Sequence, residues 1–211
     1  MFGSVINVDP RTATHVALGP KYLRFVTVER GDTARSSEDE ERLLEILSEV
    51  VASSISRDLS QVAAELGAKL VADGVPPLPP WVFFAGVDLK DTQVSVCVAG
   101  PHRVHLVQGE ALVASTREHT LTHDAPPPDW PELSNDDLRF HGNVVTRSVG
   151  RSRSRLPEVT TWNVQGAYRV AVVSAGFYEN REPLEYAALL GGTPESVGEV
   201  TPSYAVLYRY P

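Results

Sequence analysis

Cysteine is nearly absent from the chain, and the single copy, Cys97, has no intramolecular partner with which to form a disulfide. No apolar run approaches the length of about 20 residues that a membrane-spanning helix needs. Positive charge is also short: 19 Lys and Arg stand against 27 Asp and Glu, a net charge of −8, which argues against affinity for nucleic-acid backbones or anionic lipid surfaces. The N-terminal stretch MFGSVINVDPRT lacks the charged start and apolar core of a secretory signal. These absences set an expectation of a reduced, cytoplasmic protein with neither nucleic acid nor membrane as a partner.

With 42% hydrophobic and 22% charged residues over 211 positions, the chain has the makings of one globular domain, residues 1–211. Residues 22–28, YLRFVTV, have strand character. Ser37 and Glu40 then form a capping-box signature ahead of Leu43, Leu44, Ile46, Leu47, Val50 and Val51, which recur at helical spacing. A second amphipathic helix follows Arg57, carries Leu59, Val62, Ala63, Leu66 and Leu70 on one stripe, and ends near Asp73-Gly74, where glycine suits a left-handed cap. The two helices are expected to form an antiparallel pair.

The proline-rich VPPLPP at 75–80 ends the helical regime. WVFFAGVDL, TQVSVCVAG and RVHLVQGEALVAST read as a meander of antiparallel strands, with turns at Lys90-Asp91 and Gln108-Gly109-Glu110. A second break, APPPDWP at 125–131, precedes a short helical candidate at 134–140. TTWNV and YRVAVVS then read as strands, PLEYAALL at 183–190 as a helix and YAVLYRY as a closing strand. Strands without interleaved helices imply antiparallel sheets with helices stacked outside them, the α+β class.

Several stretches in this order resemble motifs of the metal-dependent protein phosphatases of the PPM family, the 2C type. Ala99-Gly100-Pro101-His102-Arg103 is similar to that family's strand ending in Gly-Asp-Ser-Arg, and Leu121-Thr122-His123-Asp124 to its Leu-Thr-x-Asp-His. VVTRSVG at 144–150 is similar to Leu-Thr-Arg-Ala-Leu-Gly, VAVVSAGFYE at 170–179 to Leu-Leu-Ser-Asp-Gly-Leu-Trp-Asp, and TPSYAVLYRY to the family's Asp-Asn strand. The resemblance implies a four-layer α-β-β-α sandwich of two antiparallel sheets flanked by helices. It also implies a site between the sheets where aspartates hold two divalent ions that activate a water for attack on a phosphoryl group.

At the positions that carry this chemistry the chain departs from the family pattern. Mg²⁺ and Mn²⁺ take hard oxygen ligands, yet Ser174-Ala175-Gly176 stands in place of Ser-Asp-Gly, and Pro202-Ser203 in place of Asp-Asn. The family's Asp-Gly-x-Gly-Gly falls on Glu29-Arg30-Gly31-Asp32-Thr33, and its early Arg-x-x-Asn-Glu-Asp has no acidic counterpart in TATHVALGPK after Arg11. The resemblance therefore implies a degenerate member: no metal, no cofactor and no catalytic residues, with former active-site positions at Glu29, Arg30, Gly31, Asp32, Gly100, His102, Ser174, Ala175, Gly176, Pro202 and Ser203.

Other candidate chemistry competes with simpler structural roles. His102, His105, His119 and His123 cluster in sequence, but alternation along a strand sends His102 and His105 to opposite faces, so hydrogen-bonded or exposed histidines are favoured over zinc. Ser174 lacks a neighbouring His or Asp and the Gly-x-Ser-x-Gly elbow. Glu38 to Glu41 reads as a helix start stabilised by its dipole, the proline stretches as stiff connectors, and Cys97 as a small buried hydrophobe. Arg147, Arg151, Arg153 and Arg155 read either as a solvated loop or as a docking site for an acidic or phosphorylated protein segment. The leading functional reading is a catalytically inactive phosphatase-like domain that binds or regulates a protein partner. Its rival is an enzyme that reuses the cleft for general acid–base work through Glu29, Arg30, Asp32 or His102.

Overall fold

A computed structural model of the chain describes residues 2–6, 12–19, 22–30, 37–53, 57–72, 82–90, 92–109, 111–124, 134, 144–150, 156–173 and 205–210. Two antiparallel five-stranded sheets form its centre. The first contains β2 (Thr12–Gly19), β3 (Tyr22–Arg30), β4 (Val82–Lys90), β5 (Gln93–Ala99) and β8 (Glu158–Asn163), in that spatial order. The second runs β1 (Phe2–Ile6), β10 (Ala205–Tyr210), β9 (Tyr168–Val173), β6 (Arg103–Gln108) and β7 (Ala111–Ser115). Helices α1 (Ser37–Ser53) and α2 (Leu59–Ala72) pack on each other and on the first sheet, α1 over β2 and α2 over β4, β5 and β8.

β4 explains why an almost unbroken apolar run belongs in the middle of such a protein. It is the central strand of its sheet and is buried from Val82 to Leu89, because alternate side chains enter two different cores. Val82 and Phe84 face the helices, in a cluster with Val26, Val28, Cys97, Ile46, Leu47 and Leu66. Ala85, Val87 and Leu89 face the second sheet, among Val94, Val96, Val98, Val104, Leu106, Val170 and Val172. Helix layer, sheet and sheet thus stack in the expected α+β order.

Local signals account for the helices. The Asp58 carboxylate accepts from the Gln61 amide at 2.9 Å while the Gln61 side chain accepts from the Asp58 amide at 3.2 Å, a reciprocal cap at the start of α2. Gly86 lets α2 pack close to β4, since a Cβ there would lie 2.9 Å from Leu59 Cδ2 and force that side chain to shift.

Three features differ from the sequence expectation. β1 and β2 precede the first expected strand, β8 begins at Glu158 rather than within TTWNV, and residues Leu121–Asp124 form a one-turn helix, α3. The helices expected at 134–140 and 183–190 lie outside the described residues, apart from Ser134. No helix among the described residues is long and apolar enough to cross a membrane.

Candidate functional site

Strand register brings the expected site positions to one end of the sandwich. In the first sheet Glu29 pairs with Thr12 and Phe83, Arg30 with Val82, Ala99 with Phe84, and Glu158 with Val98. In the second, Val173 pairs with both Arg103 and Ala205, and Ala205 with Ile6. Gly100, Pro101 and His102 connect β5 to β6, so the two sheets share this end. In sequence, Ser174 and Ala175 follow Val173 directly, and Pro202 and Ser203 stand shortly before Ala205.

Gly100 and His102 are described in full. Gly100 has φ +126, and a Cβ on it would lie 2.7 Å from Phe83 Cβ, so only glycine lets the chain cross this close to β4. His102 is completely buried, its ring edge-on to Phe83 with centroids 6.2 Å apart. Glu29 and Arg30 are placed by their backbone alone. Gly31, Asp32, Ser174, Ala175, Gly176, Pro202, Ser203, Arg151, Arg153 and Arg155 lie outside the described residues.

Beside Gly100 the structure assembles an ionic network. Arg147 donates Nε to Asp124 Oδ2 at 3.0 Å and Nη2 to Oδ1 at 3.2 Å, while Thr146 Oγ1 donates to Oδ2 at 2.5 Å. Arg103 holds Glu118 with Nε at 2.5 Å and Nη2 at 2.7 Å. Arg117 reaches Glu158 at 3.3 Å, and His123 Nδ1 stands 3.3 Å from Glu118. Burial alone would raise all three carboxyls. Hydrogen bonds and charge outweigh it, from Arg103 on Glu118, from Arg147 and Thr146 on Asp124, and from Arg117 on Glu158, holding each below its ordinary range. Each of the three is thus an ionised carboxylate with a guanidinium partner.

Burial chiefly, with Arg147 adding, lowers the His119 pKa against the pull of Asp124 and Glu158. His105, on the opposite face of β6 from Val104 and Leu106, is pushed down to about 4 by burial and then by Arg103. Among the described residues no three His, Cys, Asp or Glu side chains are grouped to hold a metal ion.

The network corrects one expectation. Arg147 is not part of an exposed arginine run: its side chain is only 14% exposed, it is tied to Asp124, and its Nη1 donates to the Leu156 carbonyl at 3.2 Å. The Asp124–Arg147 pair joins two stretches singled out separately in the sequence, LTHD and VVTRSVG. Their opposite charges were a signal that could have been used. Nothing comparable marked Glu118 or Glu158.

No protein-family model and no curated protein matches the sequence. Solved structures do match. A serine/threonine phosphatase of S. agalactiae shares 12% identity with a TM-score of 0.71, covering 98% of this chain and 97% of that one. The catalytic domain of the serine/threonine protein phosphatase PstP, in complex with two manganese ions, has TM-score 0.64 at 10% identity over 100% of this chain and 96% of its own. PppA, described as a key regulatory component of T6SS in Pseudomonas aeruginosa, has TM-score 0.62 at 16% identity over 95% and 97%. The fold is that of the PPM-type serine/threonine phosphatases.

Proposed function

We propose that residues 1–211 form a single phosphatase-fold domain that has lost metal-dependent hydrolysis and serves as a binding or regulatory module for a protein partner in the cytoplasm. One observation carries the reading. The Val173–Ala205 pair aligns the exit of β9 with the entrance of β10, and the sequence that follows Val173, Ser174-Ala175, and that leads toward Ala205, Pro202-Ser203, carries no carboxylate. With carboxylates left only at Glu29 and Asp32 among the former active-site positions, we infer a donor set too sparse for two divalent ions, which need several hard oxygens at once. The nearby carboxylates that are described, Glu118, Asp124 and Glu158, already have guanidinium partners.

Repurposed acid–base chemistry in the cleft is less well supported, because His102 is fully buried against Phe83. The partner we favour is acidic or phosphorylated and docks on Arg151, Arg153 and Arg155, Arg147 being committed to Asp124. PppA's regulatory description is a precedent for a fold of this kind in such a role.

Purified protein should not hydrolyse p-nitrophenyl phosphate or a phosphopeptide in Mn²⁺. Turnover that Glu29→Ala abolishes would overturn the proposal.

A further inference from the structure

His119 is the point at which three segments of the site end meet. Its amide donates to the Gly100 carbonyl at 2.9 Å, and the Thr146 amide donates to its own carbonyl at 3.0 Å. The flanking Thr120 bridges Val145, and Val149 bridges Val82 of β4. The ring continues the pattern. Its Nδ1 stands 3.4 Å from the Gly100 amide and its Nε2 3.4 Å from Glu158 Oε2 on β8.

The tautomer follows from these partners. A backbone N–H only donates, so Nδ1 must present its lone pair to Gly100, and the ring proton then resides on Nε2, facing the Glu158 carboxylate. In this form the imidazole is neutral and both contacts are satisfied. Taking up a second proton would place it on Nδ1. The Gly100 amide would then lose its acceptor and face an N–H, while the Nε2 contact to Glu158 would persist.

We propose that His119 is a proton-sensitive clasp on the β5–β6 loop, closed when Nδ1 accepts from Gly100 and released when that nitrogen is protonated. The inference stands independently of whether the domain hydrolyses phosphate. Burial and the Arg147 charge oppose protonation, so the clasp is closed at neutral pH and releases only below the ordinary histidine value of 6.5. The charged groups that face the ring are Glu158 from β8, Arg147 from the 144–149 segment and Asp124 from α3. The two carboxylates favour the proton and moderate the effect. On release the Gly100 amide loses its tie to the ring, while the bond from the His119 amide to the Gly100 carbonyl remains, so the change is a local loosening of the Gly100 amide at the start of the connection between the sheets.

The test is residue-resolved hydrogen exchange by NMR alongside titration of the His119 ring. In the native protein the Gly100 amide, corrected for intrinsic exchange, should lose protection as pH falls from about 6.5 to the ring's own midpoint, by up to about tenfold per pH unit, and should level off below that midpoint. Core amides such as Val96 and Val172 should stay protected over the same range. His119→Asn keeps a side-chain acceptor that does not titrate, and should abolish the pH dependence at Gly100. The proposal is overturned if Gly100 protection is flat while His119 titrates, or if the core amides open in parallel. It is equally overturned if the ring is protonated on Nδ1 at neutral pH, a readout that needs no variant.

Discussion

His105 is fully buried, and the distance of its pKa from 6.5, down to about 4, is set by burial first and by Arg103 second. The unfolded chain binds a proton at this residue more readily than the folded one, so stability present above pH 6.5 is lost as pH falls from there toward 4. The gap is worth on the order of 3 kcal/mol. Urea unfolding measured across that window should show the decline, and His105→Leu should flatten it. The ion-paired carboxyls of Glu118, Asp124 and Glu158 are also held below their unfolded values, which lie near about 4, so the stability they contribute is lost at lower pH and is separable. Gly100 makes a second claim at this scale. Gly100→Ala should cost roughly 2–5 kcal/mol, combining backbone strain at φ +126 with the collision against Phe83. Because the nearest atom is Phe83 Cβ, Phe83→Ala should leave most of this penalty in place, which the same unfolding experiment on the double variant would resolve.

A buried ion pair crosses between β3 and β4 of the first sheet. Arg24 and Asp88, 2% and 4% exposed, meet through two 2.7 Å bonds, and Arg24 Nη2 also donates to the Arg57 carbonyl at 2.6 Å, just before the α2 cap. Asp88→Ala should therefore destabilise by about 3–5 kcal/mol, since it leaves a guanidinium buried without its counter-ion. Replacing both residues by leucine should cost less, and a double-mutant cycle by chemical denaturation gives the coupling. Neither residue stood out in the sequence, because a charge within a strand pattern reads as a solvent-facing position. Helices α1 and α2, by contrast, were legible from the spacing of Ile46, Leu47, Val50, Leu59, Val62 and Leu66, and β4 to β7 from apolar runs broken at turns. β1 and β2 were not. FGSVI and TATHVALG are short and rich in Gly, Ala and Thr, and β1 is held by β10 at the far end of the chain, a pairing that no local pattern can announce. The ionic network was half legible for the same reason: its motifs were visible in sequence, but which charges met was decided by distant strands.

At the scale of the molecule, two sheets joined through the 100–102 connection bring the exits of β3, β5 and β9 and the entrances of β6, β8 and β10 to one end. That architecture matches structures of phosphatases, one of them solved with two manganese ions, while the sequence after β9 begins Ser174-Ala175 and the sequence ahead of β10 carries Pro202-Ser203. On the proposed reading, scaffold and chemistry have come apart. Restoring one ligand should not reunite them: Ala175→Asp should stay inactive in a phosphopeptide assay, because a single carboxylate cannot hold a pair of hard cations. The central claim is that the native chain binds no metal pair, and calorimetric titration of the purified protein with Mn²⁺ tests it most directly. The account predicts no saturable heat beyond dilution. A two-site isotherm at micromolar concentrations would contradict it.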